Sequence, residues 1–249
     1  GNRCFDNEVP EEINRKIVDH LSDINIVISE NAKNYLEREG VDPSRIIKSG
    51  SSMNEVLKYY QSSINKSKIL NKLKLKKKGY ILYSFHREEN VDKKEKLEEI
   101  IKSIDLLVAK FKSKIIVSTH PRTKDNLKKF NLDALSKYIE FKSPFSFIDY
   151  IKLQKNSKLV ISDSGTISEE AYLLKIPAVN MRYKHERPEA DAGSLIVKSE
   201  IKGKLIYESA KLALKLSKNM KFHKIKDYES EDVSTLITKI IMSFAKNIY

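Results

Sequence analysis

Residues 158–181, KLVISDSGTISEEAYLLKIPAVNM, contain a complete strand, turn, helix and strand. KLVISD is a short apolar run rich in β-branched residues, as a strand covered on both faces would be. Asp163, Ser164 and Gly165 then make a tight turn, TISEEAYLLK carries a helical pattern, and AVNMR returns as a second strand. Strands joined through a helix in this way run parallel, and the crossover is right-handed.

The same alternation extends back to residue 79. GYILYSF (79–85) precedes a helix in which Leu97, Ile100, Ile101, Ile104 and Leu107 or Val108 recur every three or four residues. KIIVSTH, the helix TKDNLKKF, YIEFKS and the helix FSFIDYIKLQ complete the series before residue 158, and SLIVK (194–198) offers a last strand. The expected fold class is therefore α/β, a doubly wound parallel-sheet, Rossmann-like domain. Residues 1 to about 45 read as the tail of a preceding α/β domain: a helix opened by Pro10, the strand INIVIS, and the helix NAKNYLEREG closed by Gly40. The expected division is 1–48 for that remnant, 49–225 for the complete domain, and 226–249 for a terminal helix packing back on the first domain.

A chain of 249 residues is long enough for a sizeable core. It holds no apolar run of membrane-spanning length, which points to a protein without membrane partners. One cysteine, Cys4, rules out an internal disulfide framework, and cytoplasm is the expected compartment. The charge of +13 is carried mostly by lysines spread along helical stretches and gathered around SKILNKLKLKKKG (67–79), a cluster from Lys66 to Lys78 that alternates as a surface helix would. That pattern describes solvated faces rather than a nucleic-acid site.

In open parallel sheets ligands bind beyond the carboxyl ends of the strands. Those ends carry His86-Arg87-Glu88-Glu89-Asn90, His120-Pro121-Arg122, Ser143-Pro144, Asp163-Ser164-Gly165-Thr166 and Arg182. At the SGT turn the backbone N–H groups from Gly165 to Ile167 and the Ser164 hydroxyl can donate to a phosphate, with Glu170 one turn inside to accept from a ribose hydroxyl. Read alone, the same residues equally describe an N-cap serine followed by acids that complement the helix dipole. Neither GxGxxG nor a Walker loop is present, so the ligand expected is a nucleoside diphosphate rather than NAD or a hydrolysed ATP. PEEINR offers two carboxylates and an arginine at a helix start, and RYKHERPEADAGS (182–194) forms a charged loop beside the SGT turn. Metal-ligand spacing is absent, as is a nucleophile–base pair, and no cofactor is expected.

Taken together, GNRCFD…VPEEINR (1–15), SGSSM (49–53), SFHREEN (84–90), THP (119–121), SDSGTISEEA (162–171) and R…HERPEA…G (182–193) resemble the non-hydrolysing UDP-N-acetylglucosamine 2-epimerase family over nearly the whole chain. The resemblance implies a glycosyltransferase-B-like architecture of two Rossmann-like domains, a UDP-sugar substrate and a homodimer. It also implies inversion of C2 in a UDP-N-acetylhexosamine, for bacterial surface polysaccharide, by elimination of UDP and its re-addition to a bound 2-acetamidoglycal. Carried over, Glu11 resembles the catalytic glutamate and His86 the active-site histidine. Ser164 and Gly165 resemble the diphosphate binders, Glu170 the ribose contact, and Arg182 and His120 further ligand contacts. Arg87, with Glu88 or Glu89, is expected to orient or charge-balance His86, and Asn90 to turn the chain into the next helix. Thr166 stands where many members have a second glycine, but its N–H is retained.

The family's opening strand with its arginine, a later aspartate and a glutamate ahead of Asn2 are not in this sequence. The chain alone is accordingly expected to be an inactive fragment, and a polypeptide longer by about a hundred residues at the amino end to recover activity. GNRCFD and HERPE resemble the branch forming UDP-N-acetyl-L-fucosamine, with the UDP-GlcNAc enzyme the close alternative. A UDP-sugar glycosyltransferase of the same architecture would also hold UDP at the SGT turn, and a non-catalytic nucleotide-binding module is a third reading. C2 hydrogen exchange in deuterated water separates epimerisation from transfer.

Overall fold

The computed structural model describes residues 1–7, 9–132, 138–182, 186–193, 196–219 and 223–245. In chain order its elements are α1 (Pro10–Leu21), β1 (Asn25–Val27), α2 (Glu30–Arg38), β2 (Ile46–Lys48), α3 (Met53–Tyr59), α4 (Gln61–Lys66), α5 (Ile69–Lys72), β3 (Tyr80–Phe85), α6 (Glu88–Val91) and α7 (Lys94–Phe111). There follow β4 (Lys114–Thr119), α8 (Pro121–Lys129), β5 (Ile139–Lys142), α9 (Phe147–Asn156), β6 (Leu159–Ser162), α10 (Ile167–Leu174), β7 (Ala178–Asn180), α11 (Glu189–Gly193), β8 (Ile196–Lys198), α12 (Gly203–Leu216) and α13 (Val233–Ala245). Two compact units emerge, one from the described residues of 1–60, 184–193 and 223–249, the other from those of 61–183 and 194–222.

The larger unit is built on a six-stranded sheet in the order β5-β4-β3-β6-β7-β8, every pair parallel. The chain winds outward from β3 to β5, then returns to the other side of β3 with β6. The strand order therefore reverses between β3 and β6, which is where a doubly wound sheet opens a crevice for ligand. Alternation along β3 sends Ile81, Tyr83 and Phe85 to one face, against Leu97, Ile100 and Ile104 of α7 and Ile206 and Ala210 of α12. Tyr80 and Leu82 go to the other, against Ile69, Leu153, Ile167 and Ala171. Each such fully buried aliphatic side chain contributes about 1.5–3 kcal/mol. The two buried tyrosine hydroxyls of β3 are paired as burial requires: Tyr80 donates to the Leu153 carbonyl at 2.6 Å, and the Tyr83 oxygen lies 2.8 Å from Ser103 Oγ.

On the Tyr80 and Leu82 face, the layer Ile116, Leu82, Val160, Ala178 gives way two residues later to a register-matched polar row. That row is Lys142, Ser118, Ser84, Ser162, Asn180 and Lys198, one from each strand. The lysine-rich stretch 66–78, read as one surface helix, is instead the end of α4, the four-residue α5 and a connection into β3. Lys74 and Lys78 adopt left-handed backbone angles there (φ 51° and 56°), which a continuous helix does not allow. α6 was also missed: Glu88–Val91 is a helical turn where the sequence reads as a loop.

In the smaller unit β1 and β2 pair in parallel, and Val27, Ala32, Leu36, Val41 and Ile46 form its core. Gly50 has φ +82°, and a Cβ there would lie 1.9 Å from Ser230 Oγ, so glycine is required by conformation and by space. Arg3, with a fully buried side chain, bonds Glu39 at 2.8 Å through two nitrogens and Asp19 at 2.7 Å. The hydrogen bond from Arg3 holds the Glu39 carboxyl below its ordinary value of 4.5. A depressed folded pKa means that this stabilisation is present above pH 4.5 and is lost as pH falls through the folded value. Acid titration followed by circular dichroism is expected to unfold this unit below pH 4.5, and Glu39→Gln to flatten that part of the profile.

Candidate active site

The switch point between β3 and β6 is organised by Asp163, which is 0 % exposed at the end of β6. Its carboxylate accepts from the backbone N–H of His86 (3.1 and 3.2 Å), that of Arg87 (3.1 Å) and the Asn90 side-chain amide (3.1 Å). The His86 ring stands half exposed with Nδ1 3.4 Å from Asp163 Oδ1. A proton on Nδ1 directed at Asp163 leaves Nε2 as the nitrogen presented to a ligand. Sequence reading sought the ring's partners inside HREEN, among Arg87, Glu88 and Glu89. The structure corrects this: the partner is Asp163, while Arg87 bonds Glu89 and Glu88 bonds Arg122. Asn90 also belongs to the Asp163 cluster and is buried, beyond its expected role as a turn residue.

After Asp163 the chain turns into α10. Ser164 N–H donates to Ser162 Oγ at 3.1 Å, Thr166 N–H to Ser164 Oγ at 3.3 Å, and the two hydroxyls lie 3.0 Å apart. Thr166, not a serine, occupies the N-cap position and uses no side-chain bond of its own to cap the helix. First-turn N–H groups point out of a helix start, where Glu169 and Glu170 also complement the dipole.

A cavity of about 310 Å³ lies here, lined by Ser84, His86, Ser118, His120, Pro144, Phe145, Tyr150, Ser164, Thr166 and Glu170. His86, His120, Ser164, Thr166 and Glu170 thus line one cavity, with Gly165 on the same turn. His120 has a second task, since its Nδ1 accepts from Arg122 N–H at 3.4 Å and caps α8. Arg182 is buried at the end of β7 and is not among the cavity's walls, although its charge, after the bond from Arg87, helps lower Glu89 against the opposing effect of burial. Arg87 is likewise outside the walls. Glu11 lies in the other unit, exposed in the first turn of α1. Its neighbour Glu12 is buried and accepts from the N–H groups of Cys4 (3.0 Å) and Phe5 (3.1 Å) and from Arg15 (2.9 Å). His185 falls outside the described residues.

Sequence reading missed Ser84, Ser118, Tyr150 and Gln154. Tyr150 is partly buried, its hydroxyl 2.8 Å from Ser84 Oγ, and desolvation of that hydroxyl followed by the nearby Glu170 charge raises its pKa far above the usual value. Ser84 in turn donates to Ser162 at 2.9 Å. The available signal was the polar residue that closes each apolar run: YSF, VST, VIS and AVN.

Comparison with known proteins bears on what occupies such a cavity. The model of the UDP-N-acetylglucosamine 2-epimerase family matches residues 1–242. The chain belongs to that family. A UDP-N-acetylglucosamine 2-epimerase of Methanocaldococcus jannaschii is 37% identical over 229 residues, covering 89% of this chain. The chain spans 62% of the length of that relative. Among solved structures, the epimerase of Rickettsia bellii aligns over 100% of this chain and 67% of its own, with 42% identity and a TM-score of 0.86. The Methanocaldococcus jannaschii epimerase in complex with UDP-GlcNAc and UDP aligns over 96% of this chain and 67% of its own, at 32% identity and a TM-score of 0.86. These epimerase structures share the parallel α/β fold. No helix among the described residues is long and apolar enough to cross a membrane.

Proposed function

We propose that the cavity between β3 and β6 holds the UDP part of a UDP-N-acetylhexosamine, and that the chain serves a non-hydrolysing 2-epimerase. The observation that carries this reading is the convergence of His86, Ser164, Thr166 and Glu170 on one cavity at the start of α10, in a chain of this family. A helix start with adjacent hydroxyls suits a diphosphate, and a carboxylate suits the donors of a ribose diol. In the proposed reaction a carboxylate base, the part that the resemblance gives to Glu11, takes the C2 proton while the C1–oxygen bond breaks, the electron pair of that bond leaving with UDP. The resulting 2-acetamidoglycal takes UDP back at C1 and a proton at C2 on the opposite face. Donors at the α10 start and His86 Nε2 stabilise the departing diphosphate, and Arg182 and Arg87 add positive charge nearby.

UDP titrated into the chain by calorimetry is expected to bind, with Ser164→Ala weakening it several-fold. Absence of binding by the unaltered chain would remove the reading. UDP-GlcNAc in deuterated water, followed by C2 exchange, tests the reaction, and UDP-N-acetyl-L-fucosamine in parallel tests the finer branch suggested by GNRCFD. We further propose the homodimer implied by the family, to be checked by sedimentation, and a role in surface polysaccharide synthesis in the cytoplasm.

A further inference from the structure

We infer that Gln154 is a positioning residue that, through Glu170, makes the cavity prefer a ribonucleotide to a deoxyribonucleotide. The inference rests on the reading of the cavity as a UDP site. Gln154 lies on α9, is 0 % exposed, and is not one of the cavity's walls. Its Nε2 donates to Glu170 Oε2, while Thr166 Oγ1 donates to Glu170 Oε1 at 2.8 Å. The two carboxylate oxygens are thus held by donors from two different helices or helix starts, which fixes the plane of the carboxylate. Glu170 itself is 8 % exposed and reaches the cavity.

A carboxylate oxygen has room for more than one donor, so both remain able to accept from a ligand. A vicinal diol presents two hydroxyl donors at a fixed spacing. A carboxylate already held in one plane receives both without first losing rotational freedom.

Gln154 Oε1 strengthens the inference, because it is buried and has no hydrogen-bond partner. Leaving a buried carbonyl oxygen unpaired is unfavourable, and an aliphatic side chain of similar size would avoid it. Turning the amide over would set Oε1 against the Glu170 carboxylate, so the donor stays directed at Glu170. The side chain is therefore explained by the polar contacts of its amide, the bond to Glu170 and a second contact with the Tyr150 hydroxyl, rather than by packing.

The test is a calorimetric comparison of UDP, 2′-deoxy-UDP and inorganic pyrophosphate on the chain and its variants. The unaltered chain is expected to prefer UDP to 2′-deoxy-UDP. Gln154→Met is expected to reduce that ratio roughly tenfold, with pyrophosphate binding unchanged. Gln154→Glu should lose the ratio at neutral pH, where two carboxylates face each other, and regain it in acid. There one shared proton, held above the ordinary carboxylate range, turns the introduced carboxyl group into a donor. The titratable groups around this pair are Tyr150 on α9, Asp163 after β6, and His86 and His120 on the cavity wall. Their pH effects appear equally in the Met variant, which should show no acid recovery. Thr166→Val, removing the other donor, should shift the ratio in the same direction and serves if Gln154→Met does not fold. UDP binding with an unchanged nucleotide ratio in these variants would overturn the inference alone. No UDP binding by the unaltered chain would overturn the site reading and the inference with it.

Discussion

Asp163→Ala is expected to destabilise the larger unit by about 3–5 kcal/mol and to abolish UDP binding. The carboxylate is completely buried and is the acceptor for two successive backbone N–H groups and the Asn90 amide. Alanine leaves all three donors without their acceptor, and each orphaned donor has its own desolvation cost. The His86 ring loses its Nδ1 partner at the same time. Urea unfolding gives the stability change and calorimetry the loss of binding. Asp163→Asn separates the two effects: one acceptor oxygen remains, so the fold should recover partly. Its single amide oxygen must serve donors that two carboxylate oxygens shared, and its NH₂ group faces one of them, so the His86 Nδ1–H loses its acceptor and the imidazole tautomer read by nitrogen chemical shifts should change. A stable Asp163→Ala chain that still bound UDP would show that Asp163 does not organise the site.

The second large effect distinguishes the adjacent glutamates of PEE. Glu12→Ala should cost about 2–4 kcal/mol, because the Cys4 and Phe5 N–H groups and Arg15 all donate to a side chain that is 0 % exposed. Burial raises the Glu12 pKa, but the bonds from Cys4 and Phe5 and the charge of Arg15 outweigh it and the value is lowered. Its stabilisation is therefore present above pH 4.5 and disappears as pH falls through the folded value. Glu11→Gln, at an exposed position, should leave the unfolding free energy within about 0.5 kcal/mol of the parent, and in the polypeptide extended at its amino end should remove C2 exchange. Equal stability loss in both variants would contradict the division of labour.

The parallel sheet was legible because burial on both faces writes itself as continuous apolar runs such as KLVIS and KIIVS, and the strand ends followed directly. His86, Ser164 and Glu170 were legible for the same reason, since each directly follows or closely succeeds such a run. Asp163 was visible as a turn residue, but its partnership with HREEN was not. That contact spans 77 residues and depends on β3 and β6 becoming neighbours, which only the reversal of strand order dictates. Gln154 was hidden by its helix, where a polar residue ordinarily faces solvent. The lysine stretch misled because alternation with leucines suits a helix, whereas left-handed Lys74 and Lys78 end it.

The polar row across the six strands marks a boundary that a protein engineer can exploit. Below it, Leu82, Ile116 and Val160 are locked into the sheet's packing, and any change of volume disturbs their neighbours. At the row itself, Ser84 and Ser118 touch the cavity while sitting on strands anchored from beneath. Exchanging Ser118 reshapes the floor under a ligand without rebuilding the domain, whereas position 84 keeps its hydroxyl for Tyr150 and Ser162. A library built on Ser118, with serine or threonine at position 84, therefore retunes ligand choice at little cost in folding yield.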